Sequence, residues 1–123
     1  MTKIFENETI KFWMEGEDLV FAYYKKGCII TDKVATNLID QRLLLQDGKI
    51  CKGIFIISHL GTVTPEAREI LSTEGIKGLS KAALITSSSF NAFIGNIFIQ
   101  MNKPKIPIKL FKTQEEGLKW LKA

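Results

Sequence analysis

Residues 50–71 read ICKGIFIISHLGTVTPEAREIL, and the order of events along this stretch decides the fold. Ile54-Phe55-Ile56-Ile57 is a continuous apolar run with no residue reserved for solvent, the pattern of a strand covered on both faces, as in a parallel sheet. A polar loop follows, and then Thr64-Pro65-Glu66 opens a helix. The threonine hydroxyl can accept from a free backbone N–H, the proline sits where its missing N–H costs nothing, and the acid complements the helix dipole. Ala67, Ile70 and Leu71 continue at helical spacing, and the helix stops near Gly75.

Working outward, the same unit recurs. Lys81–Thr86, with Ala82-Ala83-Leu84-Ile85 at its centre, reads as another covered strand. Ser87-Ser88-Ser89 then precedes a helix from Phe90 to Met101. Pro104 and Pro107 break that helix, Ile108, Leu110 and Phe111 form a short strand, and Thr113-Gln114-Glu115-Glu116 is a capping box for a last helix carrying Leu118, Trp120 and Leu121. On the N-terminal side, Val34, Leu38, Ile39, Arg42 and Leu45 run at helical spacing behind a Thr31 cap and end at Gly48, which can supply a left-handed stop. Glu8–Met14 alternates, with Ile10, Phe12 and Met14 on one face. Leu19–Tyr24 follows after the turn Glu15-Gly16-Glu17-Asp18, so these two strands form an antiparallel hairpin. The order β-β-α-β-α-β-α-β-α predicts an α/β fold: an N-terminal hairpin, then βα units forming a mostly parallel sheet of about five strands with helices packed on it. One domain is expected over residues 1–123.

Composition narrows the function classes. At 123 residues, 46% hydrophobic and 24% charged, the chain has the composition of an ordinary globular domain. The net charge is +4, but Lys103, Lys105, Lys109, Lys112, Lys119 and Lys122 are scattered, so no nucleic-acid footprint is expected. No apolar run reaches the ~18 residues of a membrane span, and the N-terminus has no signal-peptide core; the expected location is cytoplasmic. Cys28 and Cys51 form no CxxC pair and His59 is the single histidine, which argues against a disulfide framework, a metal site or a cofactor.

Whole-chain order and local motifs together resemble the STAS-like (SpoIIAA-like) domains, the fold of sulfate-transporter tails and anti-sigma-factor antagonists. Asn96–Phe111 (NIFIQMNKPKIPIKLF), followed by Gly117-Leu118-Lys119-Trp120-Leu121, is similar to small bacterial STAS-like proteins, as is the helix start Pro65-Glu66-Ala67-Arg68. In signalling members a partner kinase phosphorylates a serine at a helix N-terminus after the central strand, where free N–H groups and the helix dipole favour a phosphate. The corresponding loop here holds Ser58, His59, Thr62 and Thr64. The usual Asp-Ser pair is replaced by Thr64-Pro65, and proline takes no phosphate. The resemblance implies a protein partner such as a kinase or an anti-sigma factor.

The reactive candidates are few. Ser58 beside His59 invites a nucleophile–base reading, but adjacent residues at a strand end point apart and no Gly-x-Ser-x-Gly elbow surrounds them. Gly61 stands alone, without a phosphate-cradling motif. No catalytic residue is assigned. Phe90–Met101 holds no charged residue, which widens its apolar surface beyond one core stripe; Phe90, Phe93, Ile97, Phe98 and Ile99 are the candidate interface to a partner or a second copy in a homodimer. The expected function is therefore non-enzymatic, a regulatory or scaffolding domain that binds a protein. The alternative is a carrier of a small molecule or lipid, with the phenylalanine-rich helix lining an apolar pocket.

Overall fold

A computed structural model describes residues 3–123; the side chains of Phe90, Phe93, Ile94, Ile97 and Met101 lie outside that description. The strands are β1 (Ile4–Glu6), β2 (Ile10–Glu15), β3 (Leu19–Tyr24), β4 (Ile29–Ile30), β5 (Cys51–Ile56), β6 (Thr62–Val63), β7 (Leu79–Ile85) and β8 (Ile108–Phe111). The helices are α1 (Asp32–Gln46), α2 (Pro65–Thr73), α3 (Ser89–Asn102) and α4 (Gln114–Lys122), with a 3-10 turn at Glu74–Ile76. Each of the four helices opens on the hydroxyl cap that its sequence offers: Thr31, Thr64, Ser88 and Thr113. The stop of α1 comes one residue before the expected glycine. Asp47 is itself left-handed at φ 53°, and Gly48 follows at φ 77°.

The main sheet has six strands in the order β1-β2-β3-β5-β7-β8, one more than expected because β1 adds to the hairpin edge. β1, β2 and β3 are antiparallel, and β3, β5, β7 and β8 are parallel. The short β4 and β6 form a separate parallel pair. Strand order follows chain order without reversal. Right-handed crossovers that all step the same way must place their helices on the same side. Hence α1, α2 and α3 cover one face, and α4, which belongs to no crossover, lies on the other.

Alternation along the strands supplies both layers. Ile10, Phe12, Ala22, Tyr24 and Ile57 pack with Ala35, Leu38 and Ala67 beneath α1 and α2. Phe21, Ile54, Ala83 and Ile85 pack with Leu121 of α4, and the Trp13 ring stacks on Phe21 with centroids 5.1 Å apart. Lys81 fastens α4 to the sheet: its ammonium donates to the Trp120 carbonyl at 2.8 Å and lies 4.3 Å from the Trp120 ring centroid.

Arg42 is buried on the inner stripe of α1 with its hydrogen bonds satisfied. It donates to Gln46 Oε1 and, at 2.9 Å each, to the carbonyls of Gly75 and Lys77. Gln46 in turn donates to the Lys49 carbonyl at 3.0 Å and the Gly78 carbonyl at 2.9 Å. Burial pulls the Arg42 pKa down to about 10, which leaves it charged at neutral pH. The clamp fixes the end of α1 to the turn that leads into β7.

Candidate functional site

The site grows from three small residues. Gly75 after α2, Ala82 on β7 and Gly95 on α3 face a common space, and none fills it. The result is a partly open cavity of about 100 Å³ between α2, α3 and the sheet. Its floor is Phe55, Ile57, Leu84 and Ile108, and Leu71 and Phe98 wall it from the two helices. Gly95 lets the helix approach the sheet closely: a Cβ there would lie 3.1 Å from Leu110 Cδ1 and 3.5 Å from Ile57 Cδ1, so the leucine methyl would have to give way.

Two polar side chains interrupt the lining, Tyr24 and Arg68. Burial, the larger cause, and the nearby Cys28 thiol push the Tyr24 phenol well above its ordinary value, so it stays a neutral hydroxyl. Arg68 differs from Arg42. Its Nε is buried and has no hydrogen-bond partner among the described residues. A buried donor without an acceptor is uncommon in folded proteins and calls for a physical account.

The loop after β5 is tied down on several sides. Asn91, buried near the start of α3, donates through Nδ2 to the Ile57 carbonyl at 2.8 Å and the Ser58 carbonyl at 2.9 Å. His59 is exposed, its ring edge-on to Tyr23 with centroids 6.2 Å apart, and its carbonyl accepts from Gly27 at 3.0 Å. Gly61 is a close-approach glycine, because a Cβ there would sit 2.5 Å from the Cys28 carbonyl oxygen. Thr62 is exposed and pairs with Ile29 in the small sheet. Thr64 is half-buried; its hydroxyl accepts from the Ala67 N–H at 3.1 Å, and its own N–H donates to Ile30 at 3.0 Å.

Ser58 and His59 are therefore neighbours in the loop, and neither lines the cavity. Ser88, in the serine run before α3, has its hydroxyl committed to the Asn91 N–H at 3.2 Å. Of the candidate interface residues, Phe98 and Ile99 are half-buried, and Phe98 turns to the cavity. The side chains of Phe90, Phe93 and Ile97 fall outside the described set. The strand order never reverses, so the sheet has no switch point of the kind at which open α/β sheets bind ligands.

Sequence reasoning did not single out Tyr24, Arg68 or the small residues that leave the space. A signal existed in the spacing of Arg68 and Leu71, which puts a cation on the same side of α2 as a cavity residue. Among the described residues no group of three metal-ligating side chains converges, and no helix is long and apolar enough to cross a membrane.

No curated protein matches the chain in sequence. Among solved structures, an uncharacterized DUF3478-family protein from Shewanella loihica PV-4 with a SpoIIAA-like fold is similar. It aligns at a TM-score of 0.65 and 12% identity, covering 98% of this chain and 95% of its own. That likeness establishes the SpoIIAA-like fold. Residues 12–123 match the family model described as a domain of unknown function, and the chain belongs to that family, DUF7793.

Proposed function

We propose that this chain is a non-catalytic binding domain that holds a small apolar ligand, or the apolar end of a larger one, between α2 and α3. The observation that carries the reading is the cavity itself: about 100 Å³ of space, lined by aliphatic and aromatic side chains and kept open by Gly75, Ala82 and Gly95. An engineered apolar cavity of about 150 Å³ binds benzene. By the same scale, this one seats roughly four or five carbons, with the rest of a longer ligand passing through the open side. At ~0.8 kcal/mol per buried methylene, that corresponds to about 3–4 kcal/mol, a millimolar ligand unless further contacts add to it. Supporting the absence of catalysis, Ser58 and His59 stand apart from the cavity lining, and the loop carrying them is tied down by Asn91 and Gly27.

Native mass spectrometry of freshly purified protein, together with thermal denaturation in millimolar octanol, tests the reading. A retained small molecule or a rise in melting temperature is expected. No mass increment and no thermal shift would rule it out.

One further observation keeps protein docking as a second reading. Ser89–Asn102 has no charged residue over its whole length, and Ile99 is only half-buried. A helix that meets water along one side normally carries charge there. This reading covers a homodimer, or a kinase or anti-sigma factor bound at α3. Light scattering at high concentration addresses the homodimer, and a monodisperse monomer would exclude it. A partner interaction that survives Ile99→Asp would exclude this face.

A further inference from the structure

We propose that the ligand of this cavity is a short-chain alkyl carboxylate, and that Arg68 binds its anionic head while the chain fills the space beside Ala82 and Gly95. The inference rests on the cavity reading above and adds the chemical class of the occupant.

Three observations lead to it. First, Arg68 Nε is buried without a hydrogen-bond partner, and no salt bridge to Arg68 is formed among the described residues. Second, the same fold shows how it treats a guanidinium with no external task. Arg42 is given Gln46 and two backbone carbonyls as acceptors. Arg68 Nε has no such acceptor among the described residues, and its Nη nitrogens, which are not among the buried unpaired atoms, are the donors left free to meet a ligand. Third, the polar side chains in the lining are suited to donate. Arginine offers only donors, and the Tyr24 phenol, held neutral, can donate a second hydrogen bond. A site with a fixed cation, a hydroxyl and otherwise apolar walls selects an anion with a hydrocarbon tail over a neutral alcohol.

The charge count points to a carboxylate over a phosphate. The described lining contains one cation, matched by a single negative charge, and the planar edge of a guanidinium meets the two oxygens of a carboxylate in a bidentate pair. A phosphate monoester brings up to two negative charges at neutral pH and a third oxygen, for which this lining has no second cation.

The test titrates the full chain at pH 7.5 with octanoate, octanol and octyl phosphate, followed by amide chemical shifts of the cavity residues. Octanoate is expected to bind at least tenfold tighter than octanol, and tighter than octyl phosphate. In Arg68→Gln the octanoate advantage should vanish while octanol binding persists. Arg68→Lys, which keeps the charge but loses Nε, should retain only part of it and serves if Arg68→Gln does not fold. Equal binding of octanoate and octanol by the unaltered chain, or an undiminished advantage in the Arg68 variants, would overturn the head-group assignment and leave the apolar cavity standing. A preference for octyl phosphate would overturn the carboxylate. Binding of none of the three would remove the cavity reading itself.

Discussion

Filling the cavity from within gives the sharpest check on whether it is real space. Ala82 is buried on β7 and lines the cavity floor, so Ala82→Val directs two added carbons into it at a strand position that favours a β-branched residue. An unfilled volume of about 100 Å³ costs on the order of 2.4 kcal/mol at ~24 cal/mol per Å³, which is the ceiling on what filling can recover. Two buried carbons contribute ~1.6 kcal/mol by transfer, below that ceiling, so the side chain fits without exhausting the space. With a urea m value of about 1–3 kcal/mol per molar, the unfolding midpoint should rise by roughly 0.5–1.5 M. The measurement is made on protein refolded from urea, so that no carried-over ligand contributes. The same variant should bind octanol more weakly, because the valine occupies the alkyl site. Overpacking a filled core costs about 1–3 kcal/mol. A fall in stability of about 1 kcal/mol or more would therefore show that α2 and α3 already close over Ala82, and the argument from open space would be wrong.

Two other perturbations test the framework around the site. Arg42→Ala removes the donor to Gln46 Oε1 and to the Gly75 and Lys77 carbonyls. At about 1–3 kcal/mol for each buried group left unpaired, partly relieved by water, a loss of about 3–5 kcal/mol is expected in urea denaturation, and a loss under 1 kcal/mol would mean the clamp is dispensable. Tyr24 predicts an alkaline effect. Its phenol is held protonated in the folded chain well above its ordinary value near 10, whereas the unfolded chain releases that proton as pH passes 10. Stability from this group is complete below pH 10 and falls above it, by up to about 1.4 kcal/mol per pH unit. Tyr24→Phe should lack that decline. Because the buried Arg42 titrates in both proteins, the difference between their stability curves at pH 9–11.5 isolates the phenol, and parallel curves would refute its burial.

The fold was legible because its local signals agree with one another. The apolar run at Ile54–Ile57 is followed by a helix start at Thr64-Pro65-Glu66, and the same grammar repeats through Leu84 and Ser88. Strand β1 was harder to read: three residues, Ile4–Glu6, are too few to show a period, and they become a strand only by pairing with β2. Arg42 appeared on the stripe of α1, yet spacing alone does not say that a guanidinium there is buried, since its backbone acceptors lie 33 and 35 residues away. The cavity was illegible for a related reason. Gly75, Ala82 and Gly95 are unremarkable one at a time, and the space they leave exists only once a turn, a strand and a helix meet. The loop residues Ser58, His59, Thr62 and Thr64 attracted attention because chemistry is easier to see in a sequence than missing volume.

Topology explains why the space lies where it does. In a doubly wound sheet the strand order reverses, crossovers part to opposite faces, and a crevice opens at the carboxyl ends between them. Here the order runs β3-β5-β7-β8 in a single direction, so successive right-handed crossovers stack side by side on one face. That order has no switch point, and Ser58 and His59 lie in a loop held by Asn91 and Gly27. The open space lies instead between neighbouring crossover helices, α2 and α3, above the sheet. Large side chains could close such a space. This sequence puts glycine and alanine at the junction and turns Arg68 toward it without a partner. Small residues that sacrifice packing, next to an arginine whose buried Nε has no acceptor among the described residues, are two local costs at one place, and the proposed occupant, with an apolar body and an anionic head, meets both.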